Sequence, residues 1–131
     1  MEPKMEKEPA FSIEAPQLGD EASIGPMHIK AWKESYLNEG LGVTEEWIDE
    51  QIGHFATDLE HRRNTIAEAL EHPDKVLYRV VKNANGEIVG FMHGTKGEEF
   101  NELEGIYILN EAKKTGTGGR LMTEFLEWGD K

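Results

Sequence analysis

Residues 108–128 read ILNEAKKTGTGGRLMTEFLEW: the apolar end of a strand, two lysines, the glycines Gly116, Gly118 and Gly119, then a helical pattern. The pattern predicts a helix from about Gly118 to Trp128 with Leu121, Met122, Phe125 and Leu126 on one face. A helix N-terminus exposes unpaired N–H groups and partial positive charge, so a glycine loop feeding one suits anions, above all phosphates. Glycines let the backbone itself approach the ligand. Lys113, Lys114 and Arg120 surround this loop in a chain whose formal net charge is -12. The local basic cluster therefore opposes the prevailing field.

Upstream, ELEGIYIL (102–109) reads as a strand. Before it, VLYRVVKNANGEIVGFMHGT (76–95) reads as a hairpin whose NANG carries the asparagines and glycine that tolerate positive φ. FATDLEHRRNTIAEALEHP (55–73) spaces Phe55, Leu59, Ile66 and Leu70 along one side of a helix that halts before Pro73. VTEEWIDEQIGHF (43–55) begins at Thr44 and has helical periodicity through Trp47, Ile48 and Ile52, with Gly53 as a candidate break between the two. GDEASIGPMHIKAWKESYLNEG (19–40) places Ile24, Met27, Ala31, Trp32 and Tyr36 at helical spacing; Asp20 is its expected cap, Pro26 suits an early turn or a bend, and Gly40 is its expected end. FSIEAP (11–16) alternates as a short first strand. The order is strand, two or three helices, hairpin, strand, glycine loop, helix.

With 131 residues, one domain with one core is expected over 11–131. MEPKMEKEP at the start is charged and proline-punctuated, so residues 1–10 read as a flexible tail without the apolar segment of a signal peptide. The longest apolar runs fall far short of a bilayer span. A general nucleic-acid binder is disfavoured, because neutralising phosphates needs a basic face. The acidity instead favours a cationic small molecule or basic peptide. No cysteine is present, which excludes disulfides, thiolate zinc sites and a cysteine nucleophile and permits a cytoplasmic location. His54, Asp58 and His61 share a helical face, but HExxH is absent and a solvated face is the expected reading, with no metal.

The common phosphate motifs fail here. GxxxxGK[ST] does not occur, and GxGxxG begins at Gly116 and Gly118 but meets Leu121 where a third glycine belongs. The stretch IYILNEAKKTGTGGRLM instead resembles the coenzyme A loop of the GNAT superfamily of N-acetyltransferases, a strand followed by Gln/Arg-x-x-Gly-x-Gly/Ala and a helix. The motif falls on Lys113, Lys114, Thr115, Gly116, Thr117 and Gly118. Lys113 keeps the charge of the first position without the planar fork of arginine, and Asn110 stands where proline is common. HIKAWKESY (28–36) and NANGEIVGFMHG (83–94) occur in the superfamily's order and spacing.

The resemblance implies a mixed α/β (α+β) GNAT-like fold with a central, mainly antiparallel sheet flanked by helices. It implies acetyl-CoA as cosubstrate, with pyrophosphate on the amides of Lys114 to Gly119, Lys113 and Arg120 beside them, and the pantetheine arm along Ile106, Tyr107, Ile108 and Leu109. The acetyl group then passes directly to a primary amine of a small molecule, polyamine or protein, without a covalent enzyme intermediate. Such transfer needs a deprotonated amine, so a carboxylate near the substrate, or a water it orders, would serve as general base; Glu104 is the first candidate and Glu102 the second, placed on one face by alternation. The oxyanion donor is expected at the Ile108 N–H. His28, Trp32 and Tyr36, at i, i+4 and i+8 of the first helix, are candidates to contact the acceptor. A complete family domain continues through another strand, a helix and two final strands. The chain is therefore expected to be truncated at its C-terminus, either as a fragment, as the partner of a second chain (a homodimer is left open), or as an inactive CoA-binding or partner-binding half-domain.

Overall fold

A computed structural model describes residues 11–56 and 58–131, except for the side chains of Phe55 and Ala56; the tail expected over residues 1–10 lies outside them. Strands β1 (Ser12–Glu14), β2 (Val76–Lys82), β3 (Ile88–Thr95) and β4 (Glu102–Ile108) form a sheet in the order β1-β2-β3-β4. Every neighbouring pair is antiparallel. Helices α1 (Glu21–Tyr36), α2 (Glu45–Ala56) and α3 (Leu59–Glu71) connect β1 to β2, and α4 (Thr117–Gly129) follows β4. This is the element order read from the sequence, with three of the expected two or three helices in the first connection.

The boundaries follow local hydrogen bonding. Thr44 Oγ1 accepts from the Trp47 N–H at 3.1 Å and starts α2. Gly53 lies inside α2; the break comes at Asp58, whose Oδ1 accepts from the His61 N–H at 3.1 Å and caps α3. Asp20 does not cap α1 with its carboxylate, which instead accepts from the Gln17 N–H at 2.9 Å. Pro26 is accommodated within α1, which ends at Tyr36, before Gly40. Asn38 pairs there with Val43 across a turn closed by Gly42 at φ 85°. In the hairpin only Gly86 adopts positive φ, at 82°; Asn83 Oδ1 instead accepts the N–H groups of Asn85 and Glu87.

Helices cover both faces of the sheet. Tyr78 on β2 meets Arg62 of α3, whereas its neighbour Arg79 pairs with Glu124 of α4 at 2.9 Å. Burial on both sides explains why β2 is almost continuously apolar. The core joins Ile24, Met27 and Ala31 of α1, Ile66 and Ala69 of α3, and Leu121 and Trp128 of α4 to the strands. On α3 the buried stripe is Arg62, Ile66 and Ala69, while Leu59 and Leu70 are exposed. On α4 Leu121 and Trp128 are buried with Phe125 half-buried between them, leaving Met122 and Leu126 outside. Both stripes are rotated from the expected ones because neighbouring 3-4 spacings count apolar residues almost equally well. Gly94 provides the slot for Phe125: a Cβ there would lie 2.8 Å from the ring. Among the described residues no helix is long and apolar enough to cross a membrane.

Candidate active site

Past β4 the chain is tied to α1. The Asn110 N–H donates to Glu34 Oε1 at 2.6 Å, and Lys113 Nζ to Ser35 Oγ at 3.3 Å. Lys114 and Gly116 then take left-handed φ values of 64° and 85°. Alternating left- and right-handed residues turn successive N–H groups toward one side, which makes a concavity for anions. Among the described residues the main-chain N–H groups of Lys114, Thr115, Gly116, Thr117, Gly118 and Gly119 donate to no protein acceptor; the first bond of α4 runs from the Arg120 N–H to Gly116 O at 3.0 Å. Nothing lies within 4 Å of a Cβ built on Gly116 or Gly119. The Thr115 and Thr117 hydroxyls, 2.7 Å apart, brace the loop. Lys113, Lys114 and Arg120 are exposed, and no described carboxylate pairs with them. Unpaired amides, the positive end of α4 and these cations together form an anion cradle, and the residues present fit a pyrophosphate.

From the cradle a groove of about 270 Å³ runs between α1 and β4, lined by Ala31, Ser35, Tyr36, Ile106, Tyr107, Ile108 and Lys113. The Leu109 N–H donates to Val89 O on β3 at 2.8 Å. Successive amides of a strand point to opposite edges, so those of Ile106 and Ile108 face the edge of β4 that no described strand pairs. Leu109 itself is buried.

On the other side of Tyr107 a cavity of about 280 Å³ lies between the sheet and helices α1 and α3. Tyr107 and Glu104 come from β4, Phe91 and His93 from β3, Tyr78 from β2, Arg62 from α3 and His28 from α1. The β3–β4 register pairs His93 with Gly105 and Gly94 with Leu103, stepping over Glu104. Such a bulge interrupts the alternation just after Glu104, so that Glu104 and Tyr107 line one cavity, while Glu102, paired with Thr95, stays on the Glu104 face further along the strand. Glu104 reaches the cavity, its Oε2 accepting from Thr95 Oγ1 at 2.7 Å. Glu102 is exposed and does not line it.

Arg62 is 8% exposed. Its Nη1 donates to the Tyr78 hydroxyl and its Nη2 to His28 Nδ1, each at 3.2 Å, and its Cζ lies 5.2 Å over the Phe91 ring. His28, 3% exposed and 4.3 Å from the Tyr107 ring, has its pKa pushed down to about 4 by burial and then by the Arg62 charge. Burial also lowers His93 and raises the Tyr78 phenol. Both histidines are neutral at pH 7. Unfolding restores the ordinary histidine pKa of about 6.5, so the unfolded chain binds more protons and stability falls as pH drops through this window toward 4. We expect about 2 kcal/mol to be lost between pH 7 and pH 5, read as a drop in urea midpoint, with His28→Gln removing most of that slope. A slope unchanged by the substitution would place the pH sensitivity elsewhere.

The three α1 candidates are separated: His28 is in the cavity, Tyr36 borders the groove, and Trp32 packs on Tyr36 with ring centroids 4.8 Å apart without lining either space. Arg62, Tyr78, Phe91 and Thr65 were not singled out by sequence reasoning. The available signal was a basic residue at i of the i, i+4, i+7 stripe Arg62, Ile66, Ala69. His61, expected on a solvated face, is exposed yet lines the cavity, while Asp58 is engaged in the α3 cap.

Comparison with solved structures finds the PaiA N-acetyltransferase of Thermoplasma acidophilum in complex with coenzyme A, at TM-score 0.75 and 20% identity, covering 89% of this chain and 70% of that one. A GNAT family acetyltransferase from Brucella melitensis in complex with acetyl-CoA matches at TM-score 0.54 and 14% identity, covering 92% and 68%. Apo-form YjaB from Escherichia coli matches at TM-score 0.52 and 16% identity, covering 92% and 67%. These likenesses speak for the fold. No curated protein matches the chain. The profile of the acetyltransferase (GNAT) family matches residues 28–131. Since that match takes in most of the chain, including α1, the hairpin, β4 and the glycine loop, the protein belongs to the acetyltransferase (GNAT) family.

Proposed function

We propose that this domain, residues 11–131, is an acetyl-CoA-dependent N-acetyltransferase acting on the amine of a small acceptor. The observation that carries the reading is the run of six main-chain N–H groups, residues 114–119, without protein acceptors at the head of a groove along β4. The amides, with Lys113, Lys114 and Arg120 around them, would hold the pyrophosphate. Ile106, Tyr107 and Ile108 would border the pantetheine arm. Acetyl-CoA supplies an activated acyl group as a thioester.

The chain's own residues account for the rest of the reaction. Glu104, oriented by Thr95, takes a proton from the acceptor's ammonium directly or through one water, freeing the nucleophilic lone pair. The Ile108 N–H at the unpaired edge stabilises the oxyanion that develops as the amine attacks; the carbon–sulfur bond then breaks, and the thiolate leaves as free thiol with the proton that the attacking nitrogen gives up. Tyr107, which borders both groove and cavity, stands where the two reactants would meet. A cytoplasmic location, where acetyl-CoA is available, belongs to the same reading.

A thermal melt across an acetyl-CoA titration tests the binding half. A ligand that binds only the folded state adds about 2.7 kcal/mol at a hundredfold excess over Kd, so the midpoint should climb with acetyl-CoA and not with ATP. Release of free thiol with an amine panel tests the transfer half. A midpoint indifferent to acetyl-CoA sinks the proposal; a rising midpoint without thiol release would identify a CoA-binding module instead.

A further inference from the structure

We infer that the acceptor carries a carboxylate beside its amine, and that Arg62 is the residue that selects for it. The inference rests on the acetyltransferase reading, since it names the acceptor for the same cavity.

Arg62 is a guanidinium more than nine-tenths buried in a cavity wall, and no described carboxylate forms an ion pair with it. Its neighbour Arg63, by contrast, pairs with Glu21 at 3.0 Å. The groups that touch Arg62 leave its charge standing: the Tyr78 hydroxyl and His28 Nδ1 are neutral acceptors, and the Phe91 ring offers only its quadrupole. Of the five N–H donors of a guanidinium, Tyr78 and His28 engage two, and Nε is buried without a hydrogen-bond partner. Burying a charge without a counter-ion is costly enough that folded proteins normally pair it. Glu104 lies in the same cavity, and Glu68 is near enough for its field to reach His93, yet neither is bonded to Arg62.

The cavity is therefore a dipole, with a fixed cation on its α3 wall and the Glu104 carboxylate on its β4 wall. A zwitterion matches it: ammonium toward Glu104, carboxylate toward the fork of Arg62, which suits planar carboxylate geometry. A volume of about 280 Å³ and the rings of Tyr78, Phe91 and Tyr107 suit an acceptor of amino-acid size with an apolar body. This differs from the simple cation that the net charge alone favours. The field of the whole surface acts at long range, whereas the unpaired guanidinium acts at the site.

The test compares 4-aminobutanoate with propylamine and leucine with 3-methylbutylamine, each amine lacking only the carboxylate. Thiol release gives kcat/KM, and thermal melts give binding. The wild-type protein should favour the carboxylate member by roughly tenfold or more, the range of a charge-assisted hydrogen bond. Arg62→Gln should collapse that ratio toward one, and Arg62→Lys should restore part of it. A purely structural arginine would alter rates with both members alike and leave the ratio intact. Transfer that prefers the bare amines, or a ratio unmoved by Arg62→Gln, overturns the inference while leaving the acetyltransferase reading in place. If neither variant folds, the wild-type ratios decide alone. Carboxylate-selective stabilisation without thiol release would support the role of Arg62 and count against transfer.

Discussion

Replacing Glu104 by glutamine is expected to lower the rate of thiol release with an amine acceptor by about 10²–10⁴-fold, while acetyl-CoA still raises the melting midpoint. Glutamine keeps the size of the side chain and an oxygen for the Thr95 hydroxyl, which donates to Glu104 Oε2 at 2.7 Å. It cannot accept a proton, so the chemical step loses its base and the fold loses little. The deficit should shrink as pH rises toward the acceptor's own pKa, where free amine no longer needs the enzyme to make it. Glu102→Gln supplies the control, because that carboxylate lies outside the cavity. Wild-type turnover in Glu104→Gln would remove this residue from the mechanism, and a loss confined to Glu102→Gln would move the base along β4 to that carboxylate.

The second large effect is on stability. Leu121 is fully buried where α4 meets the sheet, and truncating a buried leucine to alanine costs about 2.7–5 kcal/mol through lost transfer and the cavity left behind. Against a total stability of roughly 5–15 kcal/mol that is a large fraction, and it should appear as a lower urea midpoint at unchanged slope. Leu126→Ala and Met122→Ala, on the exposed side of the same helix, should stay within about 0.5 kcal/mol of wild type. A reversal of that ranking would mean that α4 presents its other stripe to the sheet. Leu121 also follows directly on the turn that bears the unpaired amides, so its truncation should weaken the acetyl-CoA response as well.

The contrast between these leucines marks how far the sequence could be read. Element order, the hairpin at Gly86 and the loop at Gly116 are written in residues with special backbone chemistry, which announce themselves locally. The rotation of α3 and α4 about their axes is not, since Leu59 and Leu70, or Met122 and Leu126, are as apolar as the residues that were buried instead. The choice is made by what the sheet presents, including the vacancy at Gly94 that receives Phe125. The bulge at Glu104 depends on how β3 and β4 slide into register and has no signature in β4 alone. The glycine loop was thus legible as an anion cradle, Glu104 was legible as a candidate, and Arg62 was hidden because a charged residue in a helix reads as surface until the packing is known.

The donors of the anion cradle belong to peptide units rather than to side chains. Every amino acid except proline brings the same N–H, so residues 114–119 are free to drift in identity without altering what they offer a ligand. The left-handed turns at Lys114 and Gly116 and the contact of Thr115 with the buried Thr117 restrict that freedom. Substitutions that alter charge here should tune affinity by degrees, whereas a proline anywhere in the run deletes a contact outright. A loop built this way can keep its task long after its letters have ceased to resemble those of its relatives.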